Sequence, residues 1–252
     1  MRVTFLGTGT SHGVPMIGCD CPVCTSANPH NKRTRSSVFV ESDGVNILID
    51  TGPDMRAQVL RENIRRVDAV LLTHAHADHI FGLDDIRRFN DISGKPMPCF
   101  GSGRTLECVR RAFQYVFVPT QIGGGKPQLD LVELDGPFDD MGVGVTPVPI
   151  FHGELSIYGY RIGDFGYITD CSRIPASSEE LLRGLDTLVL GVIRHEPHET
   201  HFCVSEALSI ICKLKPRRAF FTHIAHRLEH DQTNRALPPD VQLAYDGLKI
   251  EI

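Results

Sequence analysis

Residues 68–79 read DAVLLTHAHADH. The first half is a short apolar run, the signature of a strand buried on both faces. The second half puts His74, His76, Asp78 and His79 into six consecutive positions. Two histidines two apart at a strand end point to the same side. Asp78 and His79 then fall on the turn into a helical run from about Ile80 to Phe89, where they can face a second centre. Ala75 and Ala77 leave space between the larger side chains. Imidazole and carboxylate together suit Zn, Mn or Fe. The stretch therefore reads as a metal-binding strand-to-helix turn. The competing reading is a polar loop whose His and Asp side chains cap the helix.

The flanking sequence supplies more strands with polar ends. RVTFLG (2–7) is an apolar strand, followed by a Gly/Pro/Cys loop to about residue 35. SVFVES and VNILID form a hairpin about Asp43-Gly44, and Pro53 to Asn63 is a helix with proline in its first turn. The theme recurs with strands at 143–150, 156–162 and 165–169 and a helix near 177–184. A strand at 187–192, a helix at 203–214, a strand at 218–222 and a last pair of strands at 241–245 and 248–252 complete the reading. Segment 119–128 is a Gly/Pro-rich mobile loop rather than a linker. Ligand-type residues stand at strand ends: Asp50, His74, His152, Asp170 and His223. Sites in layered α/β proteins gather there.

Composition sets limits. The chain has 252 residues, 41% of them hydrophobic, enough for a real core and against disorder. Its 26 Lys+Arg against 31 Asp+Glu leave a net charge of -5, a poor balance for nucleic-acid binding. No run approaches the roughly 18 apolar residues of a membrane span. The first residues lack the apolar core of a secretion signal, so a cytoplasmic location is expected. Eight cysteines in such a compartment do not suggest a disulfide framework.

The pattern His74-x-His76-x-Asp78-His79, the opening FLGTGT (5–10) and the later His152, Asp170 and His223 resemble the metallo-β-lactamase-fold hydrolases over essentially the whole chain. The resemblance implies an α/β, four-layer αββα fold: two packed mixed β-sheets flanked by helices. It also implies one hydrolase domain over 1–252. His74, His76 and His152 would hold one divalent metal and Asp78, His79 and His223 a second, with Asp170 bridging. Asp50 would orient a ligand histidine, unless it caps the helix before Pro53. His201 matches the family's proton donor, with a plain helix cap as the alternative. His195 and His198 decorate the same loop. Arg87 matches an arginine in relatives and could meet a phosphate oxygen bidentately, or it forms an exposed helix ion pair with Asp84. Where many relatives carry Asp, this chain has Gly191.

Cys19-x-Cys21-x2-Cys24 crowds three thiols into one loop, one short of a tetrahedral structural zinc. Of the two histidines in Thr222-His-Ile-Ala-His, only one is needed at the catalytic centre, which leaves His226 as fourth ligand. His30, or unmetallated thiols, are the alternatives. With this loop the resemblance narrows to the branch of phosphodiesterases that act on phosphoribosyl cyclic phosphate in carbon–phosphorus bond cleavage. The expected cofactors are two catalytic ions, Zn or Mn, and one structural Zn. The expected reaction is attack of hydroxide on a small cyclic ribose phosphate or related phosphodiester, with Asp78 and His201 in the catalytic set and His201 protonating the leaving oxygen. The partners expected are that substrate and a second copy of the chain, with no membrane and no nucleic acid. A tRNA 3′-processing endonuclease, a quinone-cofactor biosynthesis protein and a non-catalytic metal-binding protein are the alternatives.

Overall fold

The structure is a computed structural model that describes residues 1–119, 125–139 and 141–252. Residues 120–124 of the Gly/Pro-rich segment lie outside the described residues. The chain runs β1 (Arg2–Gly7), β2 (Ser37–Ser42), β3 (Val45–Ile49), α1 (Met55–Arg61), β4 (Ala69–Leu71), α2 (Ala77–Ile80), α3 (Arg87–Ser93), β5 (Met97–Gly101), α4 (Gly103–Ala112), α5 (Gln114–Phe117) and β6 (Leu129–Glu133). It continues with β7 (Val145–His152), β8 (Leu155–Ile162), β9 (Phe165–Ile168), α6 (Ala176–Leu181), β10 (Thr187–Arg194), β11 (Phe202–Cys203), α7 (Val204–Leu214), β12 (Arg218–Thr222), α8 (His230–Ala236), β13 (Val241–Leu243) and β14 (Lys249–Glu251).

Two mixed sheets result, ordered β14-β1-β2-β3-β4-β5-β6 and β13-β12-β10-β9-β8-β7, with β11 beside β10. Strand alternation explains the layers. Val38, Val40, Ile47, Ile49, Ala69 and Leu71 point inward and meet Tyr160, Ile162, Phe165, Tyr167 and Val189 of the second sheet. The intervening Phe39, Leu48, Val70 and Leu72 point outward against Met55, Leu83, Phe89 and Leu106. On the far side, Leu188, Leu190 and Phe221 pack under Leu182, Ala207 and Leu214. Both sheets are thus buried on both faces, giving the four-layer αββα fold. The Asp43-Gly44 hairpin has φ of 50° and 81° at its two central residues, as a tight turn of matching twist demands.

Three local readings change. The expected helix at Ile80–Phe89 is broken into α2, a 3-10 turn at Leu83–Ile86 and α3. Gly82 explains the break: its N–H donates to Thr51 O at 2.7 Å, and a Cβ there would lie 2.2 Å from Gly52 O. That contact pins the segment to the loop after Asp50. β13 and β14 are not a pair, for β13 runs parallel to β12 while β14 crosses to β1 in the other sheet. β5, α4, α5 and β6 occupy a region the sequence left unread. Among the described residues no helix is long and apolar enough to cross a membrane.

Candidate metal centre

Asp50, His152 and His223 stand at the C-terminal ends of β3, β7 and β12, and Asp170 follows β9 by two residues. These four come from both sheets and converge on the turn that carries His74, His76, Asp78 and His79. Three of them turn out of their strands in the left-handed region, with φ of 62° at Asp50, 51° at Asp170 and 55° at His223. Such backbone costs about 1–3 kcal/mol per residue and persists only where neighbours over-determine it. Here they do. Asp50 N donates to Leu71 O at 2.9 Å, and Ile224 N to Thr8 O at 2.8 Å. A Cβ on Gly191 would fall 2.8 Å from Asp170 N, so the Asp170 turn fills the space a side chain at 191 would need.

The donor atoms form overlapping triads. His74, His76 and His152 bring ligand atoms within 4.8 Å of one another, as do His74, His79 and Asp170, and Asp78, His79 and His223. His79 Nε2 lies 3.3 Å from both Asp78 Oδ2 and Asp170 Oδ2, and His223 Nε2 lies 3.1 Å from Asp170 Oδ1. Yet His79 Nε2 and both His223 nitrogens are buried without a hydrogen bond of adequate geometry. Buried polar atoms left this way are costly unless a ligand completes them. The donor set and its orphaned nitrogens fit a pair of divalent cations.

Supporting groups orient the rings. Asp50 is fully buried and accepts from Thr73 N at 2.9 Å, Thr73 Oγ1 at 2.8 Å and His79 Nδ1 at 2.8 Å. That leaves His79 Nε2 for the centre. His152 Nδ1 donates to Thr200 O at 2.8 Å, which frees its Nε2 in the same way. The electrostatics are poised. Burial pulls the His79 imidazole down, but Asp170 and Asp50 outweigh it and hold the ring well above its ordinary value. Burial pushes the Asp170 carboxyl up, but His223 and His79 outweigh it and hold it well below. A histidine ligand must be neutral, so a cation bound here would take the place of that ring proton as the partner of the two carboxylates.

A second cluster lies on the loop before β2. His226 Nδ1 is 3.2 Å from Cys19 Sγ, 3.4 Å from Cys21 Sγ and 3.6 Å from Cys24 Sγ. Four soft ligand atoms around one point suit zinc. Cys21 is lowered to about 6, chiefly because its sulfur accepts the Cys24 N–H, while burial pushes Cys24 up to about 11. His30 belongs elsewhere: its ring stacks on Tyr245 with centroids 4.0 Å apart.

His201 sits at the centre's edge, its ring 4.6 Å from His152 and 4.9 Å from His223. The helix that follows is capped by Cys203 and Glu206, so His201 is not its cap. Arg87 is not brought to the centre. It pairs with Asp84 and donates to the carbonyls of Asp84 and Gly125, both at 3.0 Å, because a local partner three residues away outcompetes a distant site. Two cavities adjoin the centre. One, of about 320 Å³, is bounded by His12, Met16, Arg194, His198, His201, His223 and Arg227, with His226 in its wall. The other, of about 190 Å³, is bounded by His74, His76, Arg104 and Cys108. Arg104, Arg194 and Arg227 escaped the sequence reading. Arg194 ends β10 and Arg227 follows His226, whereas Arg104 lies in the first turn of α4.

The profile of the β-lactamase superfamily domain matches residues 45–224, and the chain belongs to that family. It is a hydrolase of the metallo-β-lactamase fold. The particular relatives are equally clear. A diphosphatase described as new in the PhnP family superposes with a TM-score of 0.93 over 100% of this chain and 97% of its own, at 47% identity. Zn(2+)-bound PqqB from Methylobacterium extorquens shares the fold at TM-score 0.79, 21% identity and full coverage of both chains (100% each). An octanoyltransferase of Porphyromonas gingivalis (strain ATCC BAA-308 / W83) is 37% identical over 254 residues, 99% of this chain and 51% of its own, so the chain spans about half of that relative.

Proposed function

We propose that this protein hydrolyses a small phosphodiester or diphosphate, working as one domain over 1–252. In this reading two divalent ions, Zn or Mn, are held by His74, His76 and His152 and by Asp78, His79 and His223, with Asp170 shared. Cys19, Cys21, Cys24 and His226 hold a structural Zn. The observation that carries the reading is the set of interlocking donor triads whose buried ring nitrogens lack partners. The diphosphatase relative supports phosphorus chemistry.

Bound there, such ions lower the pKa of water and neutralise charge on phosphoryl oxygens. The protein's own groups supply the rest. Asp50 holds the His79 ring, and Thr200 O holds the His152 ring. Water's oxygen bonds to phosphorus, the bond to the leaving oxygen breaks with its electron pair, and that oxygen takes a proton from His201. A proton from the attacking water restores the balance. Burial, then His223, pushes the His201 imidazole down to about 3. An anionic phosphate beside the ring acts in the opposite direction and favours the protonated form that a general acid needs.

Two measurements test this. Elemental analysis is expected to find about three metals per chain. Turnover of bis-para-nitrophenyl phosphate is expected to depend on added manganese and to vanish with a strong chelator. Activity that survives complete metal removal overturns the reading. Cleavage of a tRNA precursor without cleavage of small diesters replaces it with the endonuclease.

A further inference from the structure

A recess of about 370 Å³ opens in the helical layer over the first sheet, between α1 and α3, and none of its lining residues belongs to either metal-type cluster. Helix spacing builds it. Met55 and Val59 stand four apart on α1, and Phe89 and Ile92 three apart on α3, so each pair shares a face. Met55 and Phe89 belong to the core beneath. Leu60, however, is 63% exposed and Ile92 54%. Apolar surface is thus left in water around a hollow that a ligand could fill. The rim is cationic. Arg56 lies four residues before Leu60 and Arg88 four before Ile92, so each helix sets a guanidinium one turn from its exposed aliphatic side chain. Arg65, after α1, is the third. Arg65 donates to Asn63 Oδ1 at 2.9 Å and Arg88 lies 3.6 Å from Asp91, while Arg56 has no ion pair or hydrogen bond from its side chain among the described residues. Three guanidiniums therefore share this lining with one carboxylate, Asp85, in a chain of net charge -5.

An apolar floor under a cationic rim complements an amphiphile with an anionic head. Size selects among such occupants. The volume is at the small end of the roughly 300–1,000 Å³ of small-molecule sites. A stable protein contact needs about 800 Å² from each partner, whereas α1 and α3, of 7 residues each, are only about 10 Å long. A second copy seated here about a two-fold axis would set the same arginines against each other. We propose that this recess binds a medium-chain fatty acid. Its alkyl chain lies on Met55, Val59, Ile64 and Phe89 between Leu60 and Ile92, and its carboxylate meets the arginine rim. The proposal stands apart from the hydrolase reading, since it uses no residue of the metal centre.

The test is isothermal titration calorimetry of the full chain with octanoate, decanoate and decyltrimethylammonium, each below its micelle concentration. Decanoate is expected to bind once per chain. Its two further methylenes should tighten binding about 10- to 20-fold over octanoate, roughly fourfold each. Decyltrimethylammonium, the same chain under a cationic head, should bind about tenfold more weakly or worse. Leu60→Glu combined with Ile92→Glu, both at exposed positions that leave the core intact, is expected to weaken decanoate by about tenfold or more. Arg56→Glu combined with Arg65→Glu should reverse the preference between head groups. Ile17→Glu, an equally exposed change on the cysteine loop, should alter neither. Melting temperatures, measured alongside, show that the variants fold. Decanoate affinity that ignores Leu60 and Ile92 would place the carboxylate elsewhere, for instance on metals at the histidine–aspartate centre, and overturns the proposal. So do the lack of saturable decanoate binding and equal affinity for the two head groups. Sedimentation that shows a dimer split by Leu60→Glu overturns it too, and gives the face to a second copy.

Discussion

The two metal-type clusters lie on either side of Thr222–His226, and they are built by opposite means. The histidine–aspartate centre takes its side chains from strand ends of both sheets, and most are nearly inaccessible: His79 is 0% exposed, His74 1% and Asp170 2%. The sheets exist without it, and their ladders hold the left-handed turns in place. The thiolate cluster sits on an irregular stretch between β1 and β2, where Cys19 and Cys21 are half-buried and Ile17 is 98% exposed. Little besides the cluster holds residues 16–24, although Lys32 Nζ donates to Cys24 O at 2.9 Å. One cluster is a consequence of the fold; the other, in the reading proposed above, would fasten a loop to it. The loop then serves the first centre, because Met16 and His226 line the cavity that contains His201 and His223.

The largest effect that could break this contrast comes from Asp78→Ala. It is expected to lose a metal and essentially all turnover, on good and poor leaving groups alike, while the thiolate metal and the melting temperature change little. Loss of all metals together, read by elemental analysis, would mean the clusters are not separate.

Next is His201→Ala. All metals are expected to remain, and turnover of a cyclic ribose phosphate to fall about 100- to 10,000-fold. A para-nitrophenyl diester, whose leaving group needs no proton, should suffer much less. Equal losses on both substrates, or a missing metal, would return His201 to a ligand or a packing residue.

A smaller loss is expected for Asp50→Asn, which keeps the shape and tolerates the left-handed backbone but removes the charge that holds His79. Affinity for the metal bound by Asp78, His79 and His223 should drop about 10- to 100-fold, with the thiolate site unchanged. Titration with a competing chelator measures both. An unchanged affinity would leave Asp50 a purely structural carboxylate.

The smallest effect on chemistry and the clearest on stability belongs to Cys21→Ser. A metal bound only by the folded state contributes about 4 kcal/mol at a thousand times its Kd. Weakening it is expected to lower the melting temperature by roughly 5–15 °C. The kcat per folded molecule should stay within about threefold, because His223 is held independently by Ile224 N to Thr8 O at 2.8 Å and Ala225 N to Ile193 O at 3.1 Å. Unchanged melting and unchanged zinc content would dismiss the fastener.

Much of this was legible in sequence wherever the information is local. His74 to His79 are contiguous, so their convergence follows from strand and helix geometry alone. The alternation in β2 and β3, the Asp43-Gly44 turn and the spacing of Cys19, Cys21 and Cys24 are likewise short-range. Strand-end polarity at Asp50, His152, Asp170 and His223 marked them as candidates, and the resemblance ordered them. His226 is chosen as the partner of three cysteines some two hundred residues earlier because one of two neighbouring histidines is spare, while the contact itself forms only where the segments after β1 and β12 meet. The fold alone separates β13 from β14, whose short apolar patterns read alike but whose partners lie in different sheets. Arg87 matched a phosphate-binding position by motif, yet Asp84 captures it, because a partner on the same helical surface needs no tertiary contact. Arg194 and Arg227 show the converse. Nothing in their neighbours' identity distinguishes them, and only the closing of β10, β12 and the cysteine loop around one cavity leaves their charges unopposed. Periodicity and motif spacing act over a few residues; which charges end up without a partner is settled by packing across the whole chain.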